Sequence, residues 1–253
     1  MPTLVMLPGL DGTGKLFSEF VRELGPCVDS RIVAYPKDQP LGYGELERLA
    51  LAALPRDRPF ILLGESFSGP IAIRIAAQSP SGLLAVILCG SFAKNPFPWL
   101  RWARPLAAYL PLKSLPRWVR APLMWGSASP QRAPARMERA TAGVSDDVIR
   151  HRIASLLAVD ETAALARVRI PMLVLRARRD RVIPPTATRW IMKTLPGAEQ
   201  VEIDGPHLLL QTRPAECADV VYRFMQAAES HSPASTPASP SISHISRSTA
   251  VAN

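Results

Sequence analysis

Residues 60–70 read Phe60-Ile61-Leu62-Leu63-Gly64-Glu65-Ser66-Phe67-Ser68-Gly69-Pro70. Four large apolar residues have the length and composition of a buried strand. A helical pattern resumes after Gly69, so the small residues between must form a tight strand-to-helix turn. Ser66 stands at the centre of a G-x-S-x-G position, where a sharp turn pushes a serine hydroxyl out of the backbone. Strand and helix come close together two residues to either side, so those positions must be small. Gly64 meets the requirement on one side. On the other, Ser68 replaces the usual glycine and Gly69 follows it.

Outward from this turn, short runs rich in Val, Ile and Leu recur at 3–7, 31–35, 84–89, 172–175 and 200–203. Runs without polar alternation suit strands buried on both faces of a parallel sheet. Helical patterns lie between them at about 15–24, 44–54, 68–79, 186–195 and 213–228. The alternation predicts an α/β fold with a mostly parallel, doubly wound sheet of about six strands. Its ligand site should lie beyond the carboxyl ends of the strands.

The alternation breaks at residues 91–165. That stretch holds eight prolines up to Pro134 and four of the five tryptophans, Trp99, Trp102, Trp118 and Trp125. From Lys94 to Arg139 there are nine basic residues and one acid, Glu138, which supplies +8 of the net +9. The segment reads as a mainly helical insertion between two strands. Residues 1–90 and 166–229 then form the core. Residues 230–253 carry eight serines and three prolines and few large apolar residues, a composition that predicts a disordered tail.

Of 253 residues, 47% are apolar and 20% charged, enough to build a sizeable core without staples. No apolar run reaches the ~18 residues that would span a bilayer. The N-terminus lacks a basic region followed by a long apolar one, so a cytoplasmic protein is expected. Three distant cysteines, Cys27, Cys89 and Cys217, fit neither a disulfide framework nor a zinc site and are expected to be reduced and mostly buried. The basic excess sits in one proline-rich segment without a nucleic-acid module, so nucleic acid is not an expected partner.

The stretch Gly9-Leu10-Asp11-Gly12-Thr13-Gly14-Lys15 follows the first strand and nearly spells a phosphate-binding loop. That pattern needs Ser or Thr next to hold Mg²⁺, and Leu16 stands there instead.

With Leu7-Pro8-Gly9-Leu10-Asp11-Gly12-Thr13-Gly14 after the first strand and Gly64-Glu65-Ser66-Phe67-Ser68-Gly69 after the third, the chain resembles the α/β-hydrolase superfamily over about residues 3–228. The resemblance is to its serine esterase, lipase and thioesterase-like members. Many of these have two earlier strands, whereas here the first arrives at residue 3. Pro8 stands where a histidine is common. The resemblance implies backbone N–H donors at Leu10 and Phe67 that form an oxyanion hole. It also implies the order nucleophile, acid, base. A serine hydroxyl needs a base to take its proton and a carboxylate to orient that base. Of four histidines, His231 and His244 fall in the tail and His151 in or beside the insertion. His207, just after the last strand, is left as the base, where the family carries it.

For the acid, Asp180 follows the strand at 172–175 in a loop resembling the family's acid loop, although Ala177 stands where glycine is common. Arg178, Arg179 and Arg181 beside it would favour the ionised carboxylate. Asp204 lies too near its strand end to be preferred, and Asp160 is a fallback. In this superfamily a cap is inserted where residues 91–165 lie.

The expected activity is therefore that of a serine hydrolase acting on a carboxylic ester or thioester through Ser66, His207 and Asp180, with no metal or organic cofactor. The insertion suggests a substrate that is anionic or amphiphilic, or a lid that touches a membrane surface. Acyl transfer on the same scaffold, or ligand binding without turnover, are the alternatives.

Overall fold

The computed structural model describes residues 1–109, 122, 124–126 and 133–230. Six strands form one sheet: β1 (Thr3–Leu7), β2 (Ser30–Ile32), β3 (Phe60–Glu65), β4 (Leu83–Cys89), β5 (Met172–Ala177) and β6 (Glu199–Ile203). Their order across the sheet is β2-β1-β3-β4-β5-β6, and every neighbouring pair is parallel. The six-stranded parallel sheet expected from the apolar runs is therefore present. β2 is shorter than the run at 31–35 suggested, yet the backbone stays paired beyond it. Val33 N–H donates to Met6 O at 3.0 Å and Tyr35 N–H to Gly12 O at 2.7 Å.

Both faces of the sheet are covered, which explains the unbroken apolar runs. Val5, Leu7, Leu62, Val86, Leu88 and Val174 face one core beneath α2 (Tyr43–Ala52) and α3 (Gly69–Gln78). Leu4, Met6, Ile61, Leu63, Ile87, Leu173 and Leu175 face the other, packed by α1 (Ser18–Leu24). Between β4 and β5 lie a 3₁₀ helix (Pro98–Tyr109), α4 (Ala133–Thr141), α5 (Asp146–Leu156) and α6 (Thr162–Leu165), and the antiparallel bridge Lys94–Asp160 closes the base of this excursion. The rest of the expected insertion, Trp118 included, falls outside the described residues. The chain continues through α7 (Pro185–Thr194), α8 (Leu209–Thr212) and α9 (Pro214–Ser230), the last of which packs on the second core. Ser230 ends α9 rather than starting a tail, and the remainder of the expected tail lies outside the described residues. No helix among the described residues is long and apolar enough to cross a membrane. Cys89 and Cys217 are buried free thiols as expected, whereas Cys27 is exposed.

The sequence order reverses direction between β1 and β3, the point where open α/β sheets form a crevice. Approach of β3 to α3 at that point is unusually close. A Cβ built on Gly64 would sit 2.8 Å from Ser68 O and 2.9 Å from Ala72 Cβ. One of those obstacles is backbone, so a side chain cannot be accommodated by rotation. Gly64→Ala is therefore expected to destabilise the fold by ~1–3 kcal/mol, measured as a lower thermal midpoint. A midpoint equal to that of the wild type would show that the turn relaxes freely.

Candidate active site

Ser66 follows β3 directly and has a φ of 48°, a left-handed conformation that a serine adopts only under constraint. Its hydroxyl is thereby turned away from the sheet into the crevice. Ser91, just past β4, donates from its hydroxyl to Ser66 O at 2.6 Å and braces the turn. Gly69 is needed at that contact, because a Cβ there would meet Ser91 Oγ at 1.8 Å.

The loops after β5 and β6 bring Asp180 and His207 to this serine. Ser66 Oγ lies 2.9 Å from His207 Nε2, and His207 Nδ1 lies 2.9 Å from Asp180 Oδ2. The His207 side chain is 2% exposed and that of Asp180 6%, so the relay is nearly sealed from water. Gly90, with φ +53°, lies against this pair, and a Cβ there would stand 3.3 Å from the His207 backbone oxygen.

One electrostatic expectation is corrected. Arg178 and Arg179 do not hold Asp180; both pair with Asp204, at 3.2 and 3.1 Å. The loop curls so that Asp180 Oδ1 instead accepts the backbone N–H groups of Val182 and Ile183, each at 2.8 Å. Two fixed dipoles thus replace the flexible arginines. Asp160 is occupied by Thr162, whose backbone N–H and hydroxyl both donate to its Oδ1, and His151 is exposed and lies beside Gly42. Neither competes with the Ser66 relay.

Leu10 and Ser66 line the same cavity, of about 120 Å³, with His207, Leu208, Met137 and Ile149. Phe67 follows Ser66 in the turn and stacks its buried ring on Tyr43, with centroids 4.7 Å apart. The loop carrying Leu10 is held at successive atoms. Gly12 N–H donates to Gly9 O at 3.0 Å. Arg152 Nη1 donates to Leu10 O at 2.9 Å. Ser68 Oγ donates to Pro8 O, and it also lies 2.7 Å from Tyr35 Oη. The two places where the motifs depart from their usual form, Pro8 and Ser68, are therefore in contact. A serine at the second site supplies a clamp that glycine could not. The near-phosphate loop is not an open anion cradle: Asp11 Oδ2 fills its turn by accepting from Thr13 N–H and Thr13 Oγ1, and Leu16 is buried. Among the described residues, no group of three or more His, Cys, Asp or Glu side chains is placed to hold a metal ion.

Several participants are not apparent from the motifs. Glu65, beside Ser66, is buried and accepts from Gln211 Nε2 at 2.8 Å and from the Gly9 backbone. Its burial, reinforced by Asp11 nearby, raises its pKa to about 7. Gln211 Oε1 is buried without a partner, so half a turn of the amide would let that oxygen accept from a protonated Glu65. Arg152 could have been noticed: Val148, Ile149 and Arg152 share the buried face of α5, and Arg152 is its one charged member. A second cavity, about 310 Å³, lies apart from the relay between Lys94–Trp99 and α7, with Lys94 Nζ 3.1 Å from the Trp190 ring centroid.

Glu65 makes stability depend on pH in a defined direction. Its folded-state pKa is raised from 4.5 to about 7, so between those values the native protein holds a proton that the unfolded chain has lost. The native state is penalised increasingly as pH rises through that window, by roughly 3 kcal/mol in all. Glu65→Gln should remove this component. Denaturant titrations from pH 4 to 8 are expected to show the gap between variant and wild type widening in favour of the variant, and parallel curves would refute the assignment.

The fold has counterparts among known proteins. The model of the alpha/beta hydrolase family matches residues 4–220. A curated relative from Rhizobium rhizogenes, named "Putative carbamate hydrolase RutD", is 27% identical over 89% of this chain and 93% of its own. Among solved structures, the enol-lactonase from Burkholderia xenovorans superposes with a TM-score of 0.75 at 18% identity, covering 89% of this chain and 91% of that one. An esterase from Exiguobacterium antarcticum gives 0.74 at 13% identity, covering 89% and 92%. At those identities the structural likeness speaks for the fold, and together with the family match over most of the length it places the chain in the alpha/beta hydrolase family.

Proposed function

We propose that this protein is a serine hydrolase that cleaves small, largely uncharged carboxylic esters or thioesters through an acyl-enzyme. The observation that carries this reading is the continuous relay from Asp180 through His207 to Ser66, with both contacts at 2.9 Å. Ser66 Oγ attacks the substrate carbonyl while His207 Nε2 takes its proton. Asp180 holds the imidazole in the tautomer that leaves Nε2 free to accept. The Leu10 and Phe67 N–H groups hold the oxygen that gains charge. His207 then returns the proton to the departing alcohol or thiol, leaving Ser66 acylated. Water, deprotonated by the same imidazole, attacks the acyl carbon, and the acid leaves as His207 returns that proton to Ser66 Oγ. Acyl transfer would differ only in the acceptor at that last step.

The cavity supports the substrate class. At about 120 Å³ it is smaller than the ~300–1,000 Å³ pockets that take drug-sized ligands. Its walls are mainly apolar, its carboxyls are Asp11 and Glu65, and no Lys or Arg lines it among the described residues. A short neutral acyl group suits these walls better than the anionic one that the basic insertion suggested. The carbamate in the relatives' name is a carbonyl of similar size and belongs in the substrate panel.

Intact-mass analysis after fluorophosphonate treatment tests the nucleophile. One adduct is expected on wild type and none on Ser66→Ala; a folded wild type that takes no adduct would favour ligand binding without turnover. In a p-nitrophenyl ester series, acetate to butyrate should exceed dodecanoate in kcat/KM by at least ~10-fold, as expected when extra methylenes find no room. The reverse preference would remove the small-acyl assignment.

The 3₁₀ helix of the excursion supports a second reading, contact with an anionic lipid surface. Trp99 is 63% exposed and Trp102 71%, with Leu100 between them and exposed Arg101 and Arg104 beside them. Exposed tryptophans rimmed by arginine match the interface of an acidic bilayer. Co-sedimentation with phosphatidylglycerol vesicles is expected, reduced by Trp99→Ser with Trp102→Ser and absent with phosphatidylcholine. No binding to either at low salt would dispose of this reading.

A further inference from the structure

Arg152 is 0% exposed, the only arginine with no solvent contact among the described buried residues. A guanidinium cannot shed its charge at any ordinary pH, so burying one is costly unless something else requires it. Its hydrogen bonds go to carbonyls rather than to a carboxylate: Nη1 to Leu10 O at 2.9 Å and Nη2 to Pro36 O at 3.0 Å. Nε is buried without a partner, and the guanidinium carbon lies 5.5 Å from the Tyr35 ring centroid. The Asp11 carboxylate is near enough to act on the positive charge, but it makes no direct ion pair with it.

The surroundings are built to admit this group. Gly12, with φ +72°, lies under the guanidinium, and a Cβ there would stand 2.3 Å from Nη1. The helix that presents Arg152 is anchored nearby. Ser145 caps α5 by accepting from Val148 N–H at 3.2 Å, and its own N–H donates to Lys37 O at 2.7 Å. Ile149, one turn earlier on α5, lines the cavity beside Leu10.

We propose that Arg152 is a positioning residue for the oxyanion-forming step, reaching from the excursion between β4 and β5 to fix the Leu10 loop and set a buried positive charge behind it. The inference rests on the reading of Leu10 N–H as an oxyanion donor. Because Arg152 grips the carbonyl of the peptide that follows that donor, it restrains the loop in which the donor sits. Its charge also favours the negative oxygen, which exists in the transition state and not in the bound ester. Its loss should therefore lower kcat and leave KM nearly unchanged.

The test compares Arg152→Met and Arg152→Lys with wild type. The readouts are kcat and KM on p-nitrophenyl acetate and Ki for an aryl trifluoromethyl ketone, which mimics the oxyanion once attacked by serine. For Arg152→Met, kcat is expected to fall roughly 10–100-fold, with KM within about 3-fold and Ki weakened in step with kcat. Arg152→Lys keeps the charge and one hydrogen bond, so it should recover a large part of both. A merely structural role would reduce the folded fraction and the apparent kcat but leave Ki unmoved. An unmoved Ki, or a rise in KM with kcat intact, overturns the proposal. If Arg152→Met does not fold, the lysine variant decides alone: a parallel loss of about 3–10-fold in kcat and Ki supports the proposal, and wild-type values for both overturn it. A wild type that reacts with neither ester nor fluorophosphonate overturns the catalytic reading and this inference together.

Discussion

The start of α3 lies so close to β3 at Gly64, and to Ser91 past β4 at Gly69, that neither position has room for a side chain, and the rest of the site follows from that contact. A strand and a helix joined so tightly cannot pass through an ordinary turn. The residue at the apex is forced to positive φ, and that residue is Ser66. Such a conformation costs ~1–3 kcal/mol and persists only where the neighbourhood enforces it. Here the enforcement comes from Ser91 on the Ser66 carbonyl and from the two apolar cores that press on either face of the sheet.

From that apex outward, each loop at the carboxyl edge of the sheet is fixed by short polar contacts rather than by bulk. The β1 loop is held through Pro8, Gly9 and Leu10 by Ser68, Glu65 and Arg152. The β5 loop folds on Asp180 through two of its own amides. Past β6, Pro206 and Leu208 pack under Gly126 and Trp125, so part of the long excursion rests directly on the loop that carries His207. Among the described residues, Trp125 and Arg152 thus both tie the excursion to the site.

Local features of the sequence were enough to read the sheet, the tight turn and the order of Ser66, Asp180 and His207. Buried parallel strands leave continuous apolar runs, and the turn leaves its glycines. What escaped that reading is long-range. Nothing near Asp180 in the chain shows that Arg178 and Arg179 turn away to Asp204, because that depends on where the β6 loop ends. Glu65 and Gln211 are 146 residues apart, and Arg152 and Leu10 142. In the sequence Ser68 reads as a small replacement for glycine; the contacts of its hydroxyl with Pro8 and Tyr35 depend on how distant loops meet. The basic residues of the excursion are counted easily in the sequence, but which of them face the cavity is not, and its described wall carries Asp11 and Glu65.

His207 and Ser66 are 141 residues apart, and β6 must dock before the loop that follows it can point at Ser66. During synthesis the serine is therefore present long before the imidazole that meets it. Until residue 207 has been made and seated, the turn at Ser66 carries an ordinary alcohol with no imidazole beside it. Contacts between such distant segments are slow to close, so this pairing is among the last features the chain acquires. Under the proposed function, acylation of Ser66 reports completion: it marks a molecule whose first and last strands are in one sheet.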